Sequence, residues 1–323
     1  MLRSKILPRR RCAFYSFFYL LALLLSILPL PEPYSTSYTT RICLPALSKT
    51  QKPNSNINDK PEVTYNFTNR TPHLQLTRAA VHWLQTQIDK LSHIRLTPDE
   101  LTFLKRECTY LSAEYLDFLT TFQLKPKEHV QLAFTPEEGE KEGDDVRGTV
   151  TLQTTGKWLD TILYEIPLLA LVSEAYFKFC DRDWDYNGQL EGAREKGRKL
   201  LEGGCVFSEF GSRRRRDLHT HELVMQGLTE AAEEGKEEGK KWSGAFTGTS
   251  NVHLAMKFGV KPVGTVAHEW FMGVAAVTNN YEEANEIAIR YWVESYGEGV
   301  SLFFFLLLVC LAGLATPAPF KRY

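Results

Sequence analysis

The stretch spanning residues 244–271 constrains this chain more than any other. A polar turn, Thr247-Gly-Thr-Ser-Asn251, leads into a short amphipathic segment, and a second strand-like run at 262–266 ends at His268-Glu269-Trp270. This is a strand, helix, strand rhythm with polar groups at the strand ends. In parallel α/β architecture ligands and catalytic groups collect there. His268 is therefore a site candidate, as a general base, a metal ligand or a nucleophile toward phosphorus. The plain alternative is a hydrogen-bonded histidine at a strand end.

A second segment has the same form. The short strand 205–207 delivers Glu209-Phe-Gly-Ser212 and then four consecutive arginines, Arg213 to Arg216. Planar guanidinium groups match phosphate oxygens bidentately. An isolated tetra-arginine run is otherwise a solvated or targeting patch. Thr249, Ser250 and Asn251 offer hydroxyl, amide and main-chain donors at a strand end. Their structural alternative is a capping turn before the next helix.

The combination of Glu209-Phe-Gly-Ser-Arg-Arg-Arg-Arg216, Gly248-Thr-Ser-Asn-Val252 and Gly264-Thr-Val-Ala-His-Glu-Trp270 resembles nicotinate phosphoribosyltransferase in its fungal and bacterial form. The resemblance covers residues 61–300. It implies an α/β fold: a mixed α+β N-terminal domain at 61–204, then an incomplete parallel β/α barrel of the type II phosphoribosyltransferase kind at 205–300.

It further implies that nicotinate is joined to phosphoribosyl pyrophosphate with hydrolysis of ATP. His268 stands where the family phosphorylates a histidine, and Glu269 is placed to orient or polarise it. Arg213 and Arg214 match the phosphate-binding positions, and Arg215 and Arg216 are expected to be solvated. Thr249, Ser250, Asn251 and Thr265 would contact ribose, phosphate or nicotinate. ATP and Mg²⁺ enter as co-substrate and metal, and a homodimer is compatible with the family. The related nicotinamide-using enzyme fits Ala267-His268-Glu269-Trp270 less well.

Composition narrows the partners. A chain of 323 residues with 43% apolar content is long enough for two domains, and a net charge of −1 argues against a general nucleic-acid binder. Cys12, Cys43, Cys108, Cys180, Cys205 and Cys310 form no CxxC pair and no zinc-ligand spacing. They read as reduced thiols.

Between the ends the pattern is globular. Residues 63–67 alternate as a half-buried strand, and 74–94 carry apolar residues at helical intervals. Thr97-Pro-Asp-Glu100 is a helix start with a capping threonine and proline in the first turn. A short helix follows to 108, and another runs from Ser112 to 122. Residues 129–135 and 149–154 read as paired strands. The span 157–179 reads as one helix, apolar over most of its surface, with Pro167 kinking or dividing it. Helices are expected at 188–201, 218–238 and 279–296, the last with Asn280 as cap. His219 and His221 follow the arginines and are weaker candidates to touch phosphate, with exposure at a helix start the favoured expectation, and His253 is expected to pack or cap.

The two ends differ from the rest. Residues 1–33 place Arg and Lys before an apolar run at 12–30, a pattern of a signal peptide or membrane anchor, and Asn66-Phe-Thr68 and Asn69-Arg-Thr71 are sequons. The resemblance instead implies a cytoplasmic or nuclear enzyme with an N-terminal tyrosine motif that 35–60 lack. Residues 1–60 are thus expected to be non-coding or misjoined sequence. The apolar tail at 301–315 is shorter than the roughly 20 residues that span a bilayer. Val300-Ser301 can be encoded by GTGAGT, so 301–323 read as intron read-through. The chain as written is then expected to have little or no activity. The competing expectation is a membrane-anchored non-catalytic relative, held through 12–30 and 301–315, that keeps the ligand-binding core.

Overall fold

The computed structural model describes residues 2–6, 61–139, 142–237, 242–264 and 268–296. The first part is an antiparallel sheet covered by helices. Its strands are β1 (Leu2–Ile6), β2 (Glu62–Phe67), β3 (Leu76–Thr77), β4 (Val130–Pro136) and β5 (Arg147–Lys157). Strand β5 organises the sheet. β4 pairs with it from Val130↔Thr154 to Pro136↔Gly148, β2 from Glu62↔Lys157 to Asn66↔Gln153, and β3 at Leu76↔Gly148. Thr154 and Gly148 each have partners on both sides, so β4 lies along one edge of β5 and β2 and β3 along the other. β1 adds outside β2.

Local chemistry sets the helix starts. Helix α1 (Arg78–Lys90) opens at Thr77, whose hydroxyl accepts from the Ala80 amide. Helix α2 (Pro98–Glu107) has the capping box expected from Thr97 and Glu100, with Pro98 at the first position. Helix α3 (Ala113–Thr121) is capped by Ser112. A single turn, α4 (Pro126–His129), precedes β4.

The expected helix over 157–179 is three pieces. β5 runs to Lys157, and a turn α5 (Trp158–Thr161) and a 3₁₀ turn at Ile162–Tyr164 come before helix α6 (Glu165–Phe179). Pro167 lies in the first turn of α6, where its missing N–H has no intrahelical partner to lose. Proline marks the start of this helix rather than a bend within it.

The second part is βα. Helix α7 (Gln189–Glu202) leads through Gly203 and Gly204 into β6 (Val206–Glu209), and helix α8 (Leu218–Glu234) connects it to β7 (Ala245–Thr249). β6 and β7 are parallel. Helix α9 (Val252–Phe258) follows, then α10 (His268–Thr278) and α11 (Ala284–Tyr296).

Three expectations change here. The strand expected at 262–266 is a single parallel bridge, Thr249↔Pro262, within the described residues. His268 opens a helix instead of ending a strand, with Glu269 in the first turn, where a negative charge is favoured. Asn280 caps the turn ahead of α11 through the Glu283 amide at 3.1 Å, and α11 itself starts at Ala284.

One hydrophobic cluster joins both parts. Val63, Tyr65, Leu84, Leu104, Leu152, Trp158 and Leu168 pack in it with Val252, Ala255, Trp270, Val274 and Trp292. Among the described residues no helix is long and apolar enough to cross a membrane. The runs at 12–30 and 301–315 lie outside the described residues.

Candidate active site

β6 and β7 end side by side, with Glu209 opposite Thr249. Beyond them lie the two loops that carry the motifs: the 3₁₀ turn Ser212–Arg214 and residues 249–251. Gly248, at φ +132°, lets the chain pass under the neighbouring segment, since a Cβ there would run into the carbonyl oxygen of Lys261. Thr249 is then held from that segment through Thr249 N to Lys261 O at 3.1 Å and Val263 N to Thr249 O at 2.9 Å.

Glu209 sits at the centre. Its Oε2 accepts from Thr249 Oγ1 at 2.6 Å and lies 3.0 Å from His221 Nε2, and its Oε1 accepts from the Gly211 amide. Its carbonyl accepts from Ser250 N at 2.9 Å. Burial alone would push this carboxyl up. The His221 imidazole, the Thr249 hydroxyl and the Gly211 N–H outweigh burial and hold it down to about 2. It is a buried carboxylate.

Thr249, Ser250 and Asn251 are all buried. Asn251 caps α9 through the Leu254 amide at 3.1 Å and donates to Ser212 Oγ at 3.2 Å. Thr249 Oγ1 also accepts from Asn251 N at 3.1 Å. The side chains of Thr249 and Asn251 are thus engaged within the protein, and the capping role is real for Asn251. Ser250 Oγ is buried and has no hydrogen-bond partner among the described residues.

The arginines separate into different environments, and α6 does the sorting. Arg213 Nη1 lies 3.0 Å from Glu165 Oε1. Arg214 is exposed. Arg215 is buried, with Glu174 Oε2 at 4.0 Å and its carbonyl accepting from Ser173 Oγ at 2.9 Å. Arg216 lies over the rings of Phe177 and Trp184, 5.4 and 5.1 Å from their centroids. The solvated positions expected for Arg215 and Arg216 are therefore corrected: one guanidinium is inside and the other is stacked. Burial pushes the Glu174 carboxyl up to about 7, against the pull of Arg215.

His221 is also corrected. It lies on the inner face of α8 at 3% exposure, against Glu209, whereas His219 is exposed with its ring 4.7 Å from Tyr186. His253 Nδ1 is 3.9 Å from Glu100 Oε1.

The His268 region is held from the N-terminal sheet. Glu269 Oε1 accepts from the Tyr65 hydroxyl and from Trp158 Nε1 at 2.8 Å. Trp270 stacks on Trp158 with centroids 6.4 Å apart and donates to Ala288 O at 3.1 Å. Thr265 lies outside the described residues, and of His268 the backbone alone is described. The structure thus brings Arg213, Arg214, Thr249, Ser250 and Asn251 to one pair of strand ends, and anchors Glu269 by itself to the N-terminal sheet.

Sequence reasoning does not single out Glu209, Ser212, Glu165, Tyr65 or Trp158 as site residues. Glu209 stands inside one of the three motifs. Its place at the head of the arginine turn is the one signal that points to it. A cavity of about 530 Å³ opens by Trp242, Ala245 and Val260, toward the start of β7 and away from these loops. Among the described residues no group of three or more His, Cys, Asp or Glu side chains is placed to hold a metal ion.

Residues 53–173 match the nicotinate phosphoribosyltransferase (NAPRTase) N-terminal domain, and residues 205–302 match the nicotinate phosphoribosyltransferase (NAPRTase) family. The chain is 44% identical over 236 residues to a probable nicotinate phosphoribosyltransferase of Schizosaccharomyces pombe, covering 73% of this chain and 54% of that protein. It is 44% identical over 235 residues to the nicotinate phosphoribosyltransferase of Saccharomyces cerevisiae, with the same two coverages. The crystal structure of a putative nicotinate phosphoribosyltransferase from S. cerevisiae superposes with a TM-score of 0.70 at 41% identity, over 79% of this chain and 59% of that one. That of the Porphyromonas gingivalis enzyme gives 0.64 at 29% identity, over 80% and 59%. The chain spans about half the length of the curated relatives it matches.

Proposed function

The chain belongs to the nicotinate phosphoribosyltransferase family, and from that premise we propose that its residues serve the transfer of a phosphoribosyl group to nicotinate, the first step of NAD salvage from that base. The ring nitrogen of nicotinate attacks the anomeric carbon of phosphoribosyl pyrophosphate. The carbon–oxygen bond to pyrophosphate breaks, and pyrophosphate leaves with the electron pair. Residues 61–204 form the N-terminal domain and 205–300 the part of the barrel that carries this chemistry.

One observation carries the reading. Two parallel strands end together and project the arginine turn and the 249–251 loop from a single buried carboxylate. Charge builds on the departing pyrophosphate, and fixed donors at that end stabilise it without reorganising. Arg214, exposed at the turn, and Arg213, beside it on Glu165, supply bidentate donors. Ser250 supplies its hydroxyl, while Thr249 and Asn251 hold the loop in shape. Thr265 contacts nicotinate or phosphate.

The ATP step is assigned to His268. Its imidazole nitrogen takes the γ-phosphoryl group with departure of ADP, and water then cleaves the phosphorus–nitrogen bond, which drives the transfer forward. Glu269 serves through position. Its carboxylate is occupied by Tyr65 and Trp158, so it fixes the first helical turn that begins at His268. Mg²⁺ would enter with the phosphate oxygens of the substrates, whose charge it would neutralise.

The test is incubation of the full chain with γ-labelled Mg-ATP, phosphoribosyl pyrophosphate and nicotinate. An acid-labile, alkali-stable label that disappears in His268→Asn supports the assignment, and nicotinate mononucleotide in the same mixture supports the whole reaction. Absence of label, product and phosphoribosyl pyrophosphate binding together would remove the proposal.

A further inference from the structure

Five residues at the ends of β6 and β7 form a ring closed by four hydrogen bonds and the Gly211–Ser212 peptide link. Glu209 accepts from Thr249 Oγ1 at 2.6 Å, Thr249 Oγ1 accepts from Asn251 N at 3.1 Å, and Asn251 Nδ2 donates to Ser212 Oγ at 3.2 Å. Ser212 follows Gly211, whose amide returns to Glu209. Two groups expected to meet substrate hang from this ring. The Arg214 amide bonds to the Gly211 carbonyl at 2.9 Å, and the Ser250 amide bonds to the Glu209 carbonyl at 2.9 Å.

From this ring we infer that Glu209 is a positioning residue that locks the arginine turn and the 249–251 loop into one unit, so that Arg214 and Ser250 meet a pyrophosphate group as a preset pair. The inference rests on the phosphoribosyl reading of the site and adds to it the residue that couples its two halves. Glu209 does not act on substrate directly. Its Oε2 accepts from Thr249 Oγ1 with His221 Nε2 3.0 Å away, and its Oε1 accepts from the Gly211 amide. A carboxylate so filled neither takes a proton from a reactant nor reaches one. What it does is tie the turn after β6 to the loop after β7 at the ends of the two parallel strands, adding side-chain bonds to their main-chain pairing. Preset donors avoid the ordering cost that a flexible pair meets on binding.

Glu209→Asp separates the role from charge, because it keeps the negative charge and shortens the reach by one methylene. Inorganic pyrophosphate with Mg²⁺ is the probe, titrated calorimetrically into the full chain. Glu209→Asp should weaken binding about tenfold. The deciding comparison is a double-mutant cycle. Arg214→Ala should weaken pyrophosphate about tenfold in the native background and less than about twofold in the Glu209→Asp background, since an unlocked turn no longer presents Arg214.

A merely destabilised fold would leave that Arg214 factor unchanged. Should Glu209→Asp fail to fold, Thr249→Val removes the 2.6 Å bond from the opposite side and carries the same cycle. Equal Arg214 factors in both backgrounds, with pyrophosphate bound by the native chain, overturn the inference alone. No pyrophosphate binding by the native chain overturns the phosphoribosyl reading, and the inference falls with it.

Discussion

The indole Nε1 of Trp158 donates to Glu269 Oε1 at 2.8 Å across 111 residues of chain. The same oxygen accepts from Tyr65, so β2 and the turn after β5 converge on the residue that follows His268. Trp158→Phe keeps an aromatic ring over Gly273 and Trp270 but leaves the carboxylate with one donor fewer. A hydrogen bond to a charged group contributes about 1.5–3 kcal/mol. The urea midpoint should fall by a corresponding amount, and Trp158→Phe combined with Tyr65→Phe should cost more than the sum of the single changes, because in each single variant the remaining donor still serves the shared oxygen. Additive losses would show that the two donors act separately.

Arg214 and Arg215 are adjacent in sequence and opposite in environment. Arg215→Ala removes a large buried side chain and leaves a cavity beside Glu174, so it should cost about 2–5 kcal/mol, as other large-to-small interior changes do. Arg214→Ala should leave the denaturation midpoint where it is while weakening pyrophosphate. Paired urea titrations of the two variants check this. A midpoint loss for Arg214→Ala, or none for Arg215→Ala, reverses the assignment.

Gly248 gives a purely steric prediction. Its φ of +132° and the Lys261 carbonyl facing it exclude a methyl group. Gly248→Ala should destabilise the chain by about 3 kcal/mol or more, the strained backbone and the displaced Lys261 segment both contributing. Thermal melting of the variant measures it. Gly188, also at positive φ but with open space around its Cβ position, should lose less on the same change.

How much is legible from sequence follows from how local each signal is. Thr97 and Glu100 lie three residues apart, and the capping box they predict forms. The alternation at 129–135 and 149–154 likewise produces the β4 and β5 pair, because a period of two has one structural meaning. The span 157–179 reads as one helix because a segment buried on most sides carries no clear period, and Pro167, its one mark of division, lies in the first turn of the new helix, just after the break. The arginine run shows the other limit. Which guanidinium is buried depends on Glu165, Ser173, Glu174 and Phe177 of α6, about forty residues earlier, and no spacing within 213–216 encodes that. The burial of His221 is hidden for the same reason, since its partner Glu209 belongs to another element.

Glu174 gives the chain a pH dependence of known sign near neutrality. Burial raises its carboxyl from an ordinary value of 4.5 to about 7, while Arg215 pulls the other way. In the unfolded chain the group ionises near 4.5. Between these values the folded state holds a proton that the unfolded state has lost, so stability falls as pH rises through this window. The contribution is fully present below 4.5 and is lost as pH passes 7. Glu209 works in the opposite sense and lower down. Its carboxyl is depressed to about 2, so its contribution is present above 4.5 and disappears only as pH falls toward 2. The two windows do not overlap, and Glu174→Gln isolates the first. Glutamine mimics the protonated acid at every pH. The variant should match the native chain in urea at about pH 4.5 and exceed it at about pH 7.5 by a few kcal/mol, since each pH unit separating the folded and unfolded ionisation is worth about 1.4 kcal/mol. A native midpoint that stays flat across that range, or a variant less stable than native at its upper end, would mean that Glu174 is ionised beside Arg215 throughout.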